Sequence, residues 1–179
     1  HHQDGAVELD EVVVSDNSSF EMDRGSFRVD HFNLKKSNSI IRGGVFRVKA
    51  IDIPENSSLL VTGNADVSFN RVIVASGNVD TKGGVMRATY MEMKEKGKLL
   101  VDKGEFHSDE LVGSDADMTS TGGKMRLKTF RLKDNTTFDF RDGDIEADEF
   151  HFGKGRVDTL SGKMRWVSAN MVAGSHFVV

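Results

Sequence analysis

Apolar and polar residues alternate along this chain in short runs, and the runs recur with a period of about twenty residues. The template is clearest between Gly123 and Asp142. A glycine opens it, Met125 and Leu127 alternate with Arg126 and Lys128, and Phe130 and Leu132 flank Arg131. Asp134-Asn135-Thr136 turns the chain, and Phe138 and Phe140 close the unit. The same template starts again at Gly5, Gly25, Gly44, Gly63, Gly84, Gly104, Gly143 and Gly162. Alternation with period two predicts strands, and the polar clusters between runs predict turns, so each unit reads as three short strands. A fixed period from end to end is the mark of a solenoid, whose units bury their apolar faces by stacking on each other. The expectation is an all-β, single-domain β-solenoid over residues 5–179, of about nine coils of about twenty residues. Residues 1–4 read as a terminal extension or tag remnant. An antiparallel β-meander and an open β-jelly roll share the period-two signal and stand as alternatives.

The template assigns core slots coil by coil. The first coil offers Val7, Leu9, Val12, Val14, Phe20 and Met22, the second Phe27, Val29, Phe32, Leu34 and Ile40, and the third Phe46, Val48, Ile51, Ile53, Leu59 and Val61. In the fourth, Val67, Val72 and Val74 fit only after a shift of about two residues, which predicts a bulge near Phe69-Asn70. In the sixth, Ser108 and Gly113 stand in apolar slots, so the core is thin there. The last coil supplies Met164, Trp166, Ala169, Met171, Phe177 and Val179. Gly44-Val-Phe-Arg, Gly84-Val-Met-Arg, Gly123-Lys-Met-Arg and Gly162-Lys-Met-Arg recur in alternate coils, a pattern that duplication of a two-coil block explains.

Stacking the coils brings the third residue after each opening glycine into one outward column: Glu8, Arg28, Arg47, Asp66, Arg87, His107, Arg126, Glu146 and Arg165. Most neighbours in it are opposite or compatible in charge, with Arg28 beside Arg47 the exception. Opposite cross-strand pairs each contribute a few tenths of a kcal/mol, so the column reads as a solvated face that holds the register. The ends of such a stack present unpaired strand edges, and the chain closes on Phe177-Val178-Val179. Head-to-tail self-association follows as an expectation, with Val7, Leu9, Val12 and Val14 of one copy meeting Phe177, Val178 and Val179 of another.

Composition narrows this picture only slightly. The 179 residues carry a net charge of −4, with 18 glycines and one proline, Pro54, which suits a β-rich chain that turns often. The absence of cysteine removes disulfides and Cys-based metal sites. Basic residues spread along an acidic chain argue against a nucleic-acid platform. No apolar run reaches membrane-spanning length, and no signal peptide is visible.

Candidate chemistry is sparse. Asn17-Ser-Ser, Asn56-Ser-Ser and Asn135-Thr-Thr match glycosylation acceptors. They share one phase of the repeat, however, and Asn suits a tight left-handed turn. Asp142, Asp144, Glu146 and Asp148 form an acidic run without calcium-loop spacing. Asp52, Arg71 and Glu92 fall about eight residues after successive glycines and alternate in sign, which reads as a second charge ladder rather than an acid/base pair. The six histidines do not cluster. No catalytic residue, cofactor or metal site is expected.

The Gly-x-φ-x-φ-x-x-φ-x-φ unit with its Asn-Ser-Ser-φ-x-φ ending (φ apolar) resembles the coils of secreted bacterial β-helices of the filamentous haemagglutinin and autotransporter passenger class. That resemblance covers nearly all the chain and implies a right-handed parallel β-helix, secreted or on a bacterial surface, used for adhesion or scaffolding. A second resemblance, to the periplasmic lipopolysaccharide-bridge family, lies in Gly143-Asp-Ile-Glu-Ala-Asp-Glu-Phe-His-Phe and Val157-Asp-Thr-Leu-Ser-Gly-Lys-Met-Arg. It implies an open groove for acyl chains. The expected function is a non-enzymatic structural or adhesive module with itself, a host surface or a glycan as partner. A lipid bridge is the alternative, and a polysaccharide-acting enzyme comes third.

Overall fold

The computed structural model describes residues 5–178. Residues 1–4 and Val179, the latter expected at the self-association end, lie outside the described residues. Strands β1 (Ala6–Ser15) and β2 (Ser19–Met22) make the first coil, β3 (Ser26–Lys35) and β4 (Asn38–Ile41) the second, and β5 (Val45–Ile53) and β6 (Ser58–Thr62) the third. The fourth coil is β7 (Asp66–Ala75) and β8 (Asn78–Lys82), the fifth β9 (Val85–Lys94) and β10 (Lys98–Asp102), and β11 (Glu105–Ser114) opens the sixth. Two 16-residue strands, β12 (Asp117–Leu132) and β13 (Thr137–Phe152), run on through the corner from one coil into the next. β14 (Arg156–Thr159), β15 (Lys163–Met171) and β16 (His176–Val178) complete the stack.

All sixteen strands belong to one sheet wound around a core. Every strand ladder is parallel, from β1 on β3 to β13 on β15 along the long sides and from β2 on β4 to β14 on β16 along the short ones. The only antiparallel bridges among the described residues are isolated, Thr62 to Gly83 and Lys82 to Lys103. The chain is therefore a parallel β-solenoid of about nine coils. The meander and the open jelly roll are both overturned, since antiparallel hairpins would build either one.

Each long strand bends once in the middle. In β3, Phe27, Val29, Phe32 and Leu34 are buried, so the inward alternation slips by one between Val29 and Phe32. The ladders skip the residue at that bend, pairing Leu9 with Val29 and then Glu11 with His31. The same skip falls at Lys49 and Asn70, where Val48 pairs Phe69 and Ala50 pairs Arg71. The irregularity expected at Phe69-Asn70 is thus the ordinary bend of every coil. Three runs per unit survive as two straight halves of one bent strand and a short strand.

The core is a set of stacked columns. Val7, Phe27, Phe46, Val67, Met86, Phe106, Met125, Ile145 and Met164 are successive partners in one of them. Rings fill the interior at both ends of the rod: Phe20 meets Phe27, Phe32 and Phe46 with centroids 5.1–5.7 Å apart, and Phe130 meets Phe138 and Phe150 at 5.4 Å. Such pairs add roughly 0.5–1.5 kcal/mol each beyond their burial. In the second coil the inward residues are Ser39 and Ile41, and Ile40 points outward, one position from where the template put it. Ser39 is small enough to let the Phe20 ring reach across to Phe46. The thin sixth coil is filled by its neighbours, because a Cβ on Gly113 would lie 2.6 Å from Met118 Cε and 2.8 Å from Thr136 Cγ2. Side chains occupy the inward columns of these coils. The lipopolysaccharide-bridge resemblance fails at this point, with Ile145, Ala147, Phe150 and Phe152 all buried.

Candidate functional site

The corners decide which side chains become neighbours. At the start of most coils an N–H donates to the carbonyl of the previous opening glycine: Val45 to Gly25 at 2.9 Å, Asp66 to Gly44 at 2.9 Å, Glu105 to Gly84 at 3.0 Å. Val85 donates instead to Ala65 O, at 2.9 Å. The fourth coil therefore opens at the buried Ala65, and Gly63-Asn64 is extra corner. The column position between Arg47 and Arg87 belongs to Ser68, while Asp66 stands beside Val45 and Val85. The observed column is Glu8, Arg28, Arg47, Ser68, Arg87, His107, Arg126, Glu146 and Arg165.

This correction changes the electrostatics. Eight of the nine expected members are in the column, but its central stretch, Arg28 through Arg126, contains no carboxylate. Acids sit at the margins instead. Glu8 pairs Arg28 at 3.5 Å, and Asp66 reaches across to the Arg87 guanidinium as an ion pair. Glu146 bridges Arg126 at 3.4 Å and Arg165 at 3.1 Å. Beside His107, Glu105 lies 3.3 Å from Nε2, and that hydrogen bond, with Lys124 nearby, holds its carboxyl below the ordinary value. Arg47 has no ion pair among the described residues. It stands between Arg28 and Ser68, so the like-charge contact seen in the sequence is real and goes uncompensated at Arg47.

A groove runs beneath this column. One stretch, about 700 Å³, extends from Ser68 and Asn70 in the fourth coil to Trp166 and Val167 in the ninth. A second, about 250 Å³, is lined by Arg28, Arg47 and Lys49 and shares Ser68 and Asn70 with the first. The floor is the next inward column, where Ala88, Ser108 and Ala147 are small. Ser108 takes the inward slot that the sequence assigned to it, 5% exposed beneath the groove, with its hydroxyl donating to Glu110 O at 2.9 Å. The floor residues and the polar rim of Asn70 and Thr89 were not legible as a site, because small residues at apolar slots look like packing defects.

The remaining candidates separate. Asn17, Asn56 and Asn135 have φ of 61°, 58° and 56°, so each supplies the left-handed turn that its sequence phase required. Lys36, Ser76, Lys96 and Asp115 do the same work in other coils. Asp144 and Glu146 alternate with cations on both neighbouring coils, Lys124 and Lys163 for one, Arg126 and Arg165 for the other. Among the described residues no group of three or more His, Asp or Glu is gathered to hold a metal ion. Asp52 and Glu92 share a column but are separated by Ile73, and Arg71 lies in a different column, beside Ala50 and Tyr90. The second charge ladder therefore does not form.

Both ends of the stack expose inward-type side chains. β1 pairs only with β3 and β15 only with β13, so each offers a free edge among the described residues. Of the expected contact residues, Leu9 is 44% and Val178 51% exposed, Val7, Val12 and Phe177 are half-buried, and Val14 is buried in the core at 8%. At the far end Trp166 and Met171 are exposed. A hollow of about 320 Å³ opens there between Phe140, Leu160, Met164, Trp166 and Phe177.

Residues 1–151 match the model of the Toastrack DUF4097 family, and the chain belongs to that family. No curated protein and no solved structure matches it. No helix of the structure is long and apolar enough to cross a membrane.

Proposed function

We propose that this Toastrack solenoid is a non-enzymatic structural or adhesive module, exported to a bacterial surface or periplasm, whose copies stack head to tail. The observation that supports it is that β1 and β15 each lack a second partner strand among the described residues, with inward-type side chains exposed beside them. Continuing the ladder from β15 onto the β1 of a second copy sets Met164 beside Val7, Trp166 beside Leu9 and Ala169 beside Val12. It also sets Arg165 beside Glu8, extending the outward column with an opposite-charge pair. On the short side Phe177 meets Phe20. The contact would satisfy the free edge N–H and C=O groups, whose pairing is the main drive for edge-to-edge association. Such a contact is heterologous, so it propagates into an open filament instead of closing as a dimer.

Sedimentation velocity over a wide concentration range, with electron microscopy of the same samples, tests this. The expected result is concentration-dependent rods lengthening by on the order of 40 Å per copy, from nine coils at roughly 4.8 Å each. Leu9→Asp and Trp166→Asp should each abolish assembly without changing the circular dichroism spectrum. A monomer at every concentration, or dimers that stop growing, would overturn the reading.

A further inference from the structure

We infer that the groove beneath the arginine column is a binding site for a linear, sparsely charged acidic glycan laid along the axis of the rod. The inference does not require end-to-end assembly, and Arg47 and Arg87, on which its test turns, take no part in that contact. Three observations carry it. The first is charge. Once Ser68 replaces Asp66, no carboxylate stands in the column from Arg28 to Arg126, Asp109, Glu146 and Asp148 line only the far half of the groove, and Arg28 beside Arg47 is a like-charge pair on adjacent strands, which destabilises the sheet. An anion along the column relieves that repulsion, most directly at Arg47, which has no carboxylate partner among the described residues. The ion pairs at the margin are solvent-exposed and worth about 0–1 kcal/mol each, so a ligand carboxylate competes with them readily.

The second is spacing. Arg47, Arg87, Arg126 and Arg165 recur in alternate coils, hence at about 9.6 Å, twice the inter-strand distance. This interval is of the order of a disaccharide along an extended glycan. It is far wider than the roughly 3.4 Å of helix axis per phosphate on one strand of a DNA duplex, so a duplex would leave most of its charge unmatched. The third is shape and lining. The groove is concave, with small Ala88, Ser108 and Ala147 set between Phe69 and Leu127 along its floor, and a flat bilayer surface would not enter it. Ser68, Asn70 and Thr89 offer hydroxyl and amide groups at the level of sugar hydroxyls, and the exposed ring of Trp166 closes one end as an apolar face.

The test measures binding by the intact protein to hyaluronan oligosaccharides, which carry one carboxylate per disaccharide, by calorimetry and by the fluorescence of its single tryptophan. Saturable binding that weakens with added salt is expected, as screening requires. The double variant Arg47→Ala/Arg87→Ala should lower affinity at least tenfold, while Arg71→Ala, on another face, should leave it within twofold. Thermal melts of all three proteins establish that they are folded, and both arginines of the double variant are exposed, so it should fold. The inference is overturned by absence of binding to hyaluronan, by equal affinity in the double variant, or by tighter binding to a single-stranded oligonucleotide or to phosphatidylglycerol vesicles.

Discussion

Equivalent positions in the middle and at the ends of this rod have opposite fates. Phe130, Phe150 and Ala169 are successive members of one inward column. The two phenylalanines are 1% exposed, yet Ala169 is open to solvent. Val29 is buried where its neighbour Leu9 is 44% exposed, and Trp166 is 37% exposed above a buried Ala147. The sequence template is the same in each case. Burial in a solenoid is conferred largely by the coils on either side, so core-type residues of the end coils are mostly left open, with Val14 and Met22 of the first coil the buried exceptions.

The comparison can be broken most forcefully by charge. Phe130→Asp should abolish cooperative thermal unfolding, because a buried, unpaired carboxylate adds its desolvation cost to a lost ring. Ala169→Asp, in the same column of the last coil, should melt within a few degrees of the parent. Similar melts for the two variants would mean that the last coil is covered. Next in size is a corner effect. A Cβ on Gly44 would lie 2.4 Å from Gly25 O at φ of +80°, while one on Gly174, at +90°, would meet nothing nearer than Lys154 Cγ at 3.6 Å. Gly44→Ala should cost about 2–4 kcal/mol in denaturant titrations, from overpacking and left-handed strain together. Gly174→Ala should cost about 1 kcal/mol from strain alone. The smallest effect runs the other way. Lys96 holds φ of 64° at the turn where the last coil already has Gly174. Lys96→Gly should therefore raise stability by about 0.5–1 kcal/mol, read as a higher denaturant midpoint.

Much of the fold was legible because a coil is a local object. Alternation named the inward residues of the third, fifth and seventh coils without error, and the Asn-x-Ser/Thr positions named their turns. The candidate site was legible only in part. Eight of nine column residues were identified, but the ninth concealed the property that matters. A two-residue insertion at Gly63-Asn64 preserves the inward and outward alternation, since side chains repeat every two residues. The shift of about two residues that the fourth coil required was visible in the core pattern, but it was placed at Phe69-Asn70 and not at the corner, so Asp66 was left in the column position that belongs to Ser68. A similar blindness affected Asp52, Arg71 and Glu92, whose counting from glycines ignored the same insertion.

The amino-acid sequence by itself determined that this chain is a stack of β coils, which residues of most coils face inward, and where the turns fall. These properties depend on side-chain periodicity and on backbone preferences within about twenty residues. Only the tertiary structure decided the parallel pairing, the membership of each column, the groove left by Ala88, Ser108 and Ala147, and which coils lack a neighbour. Those depend on the length of each corner and on contacts between residues one full coil apart, where a shift of two positions alters the partner of every side chain and leaves the local pattern unchanged.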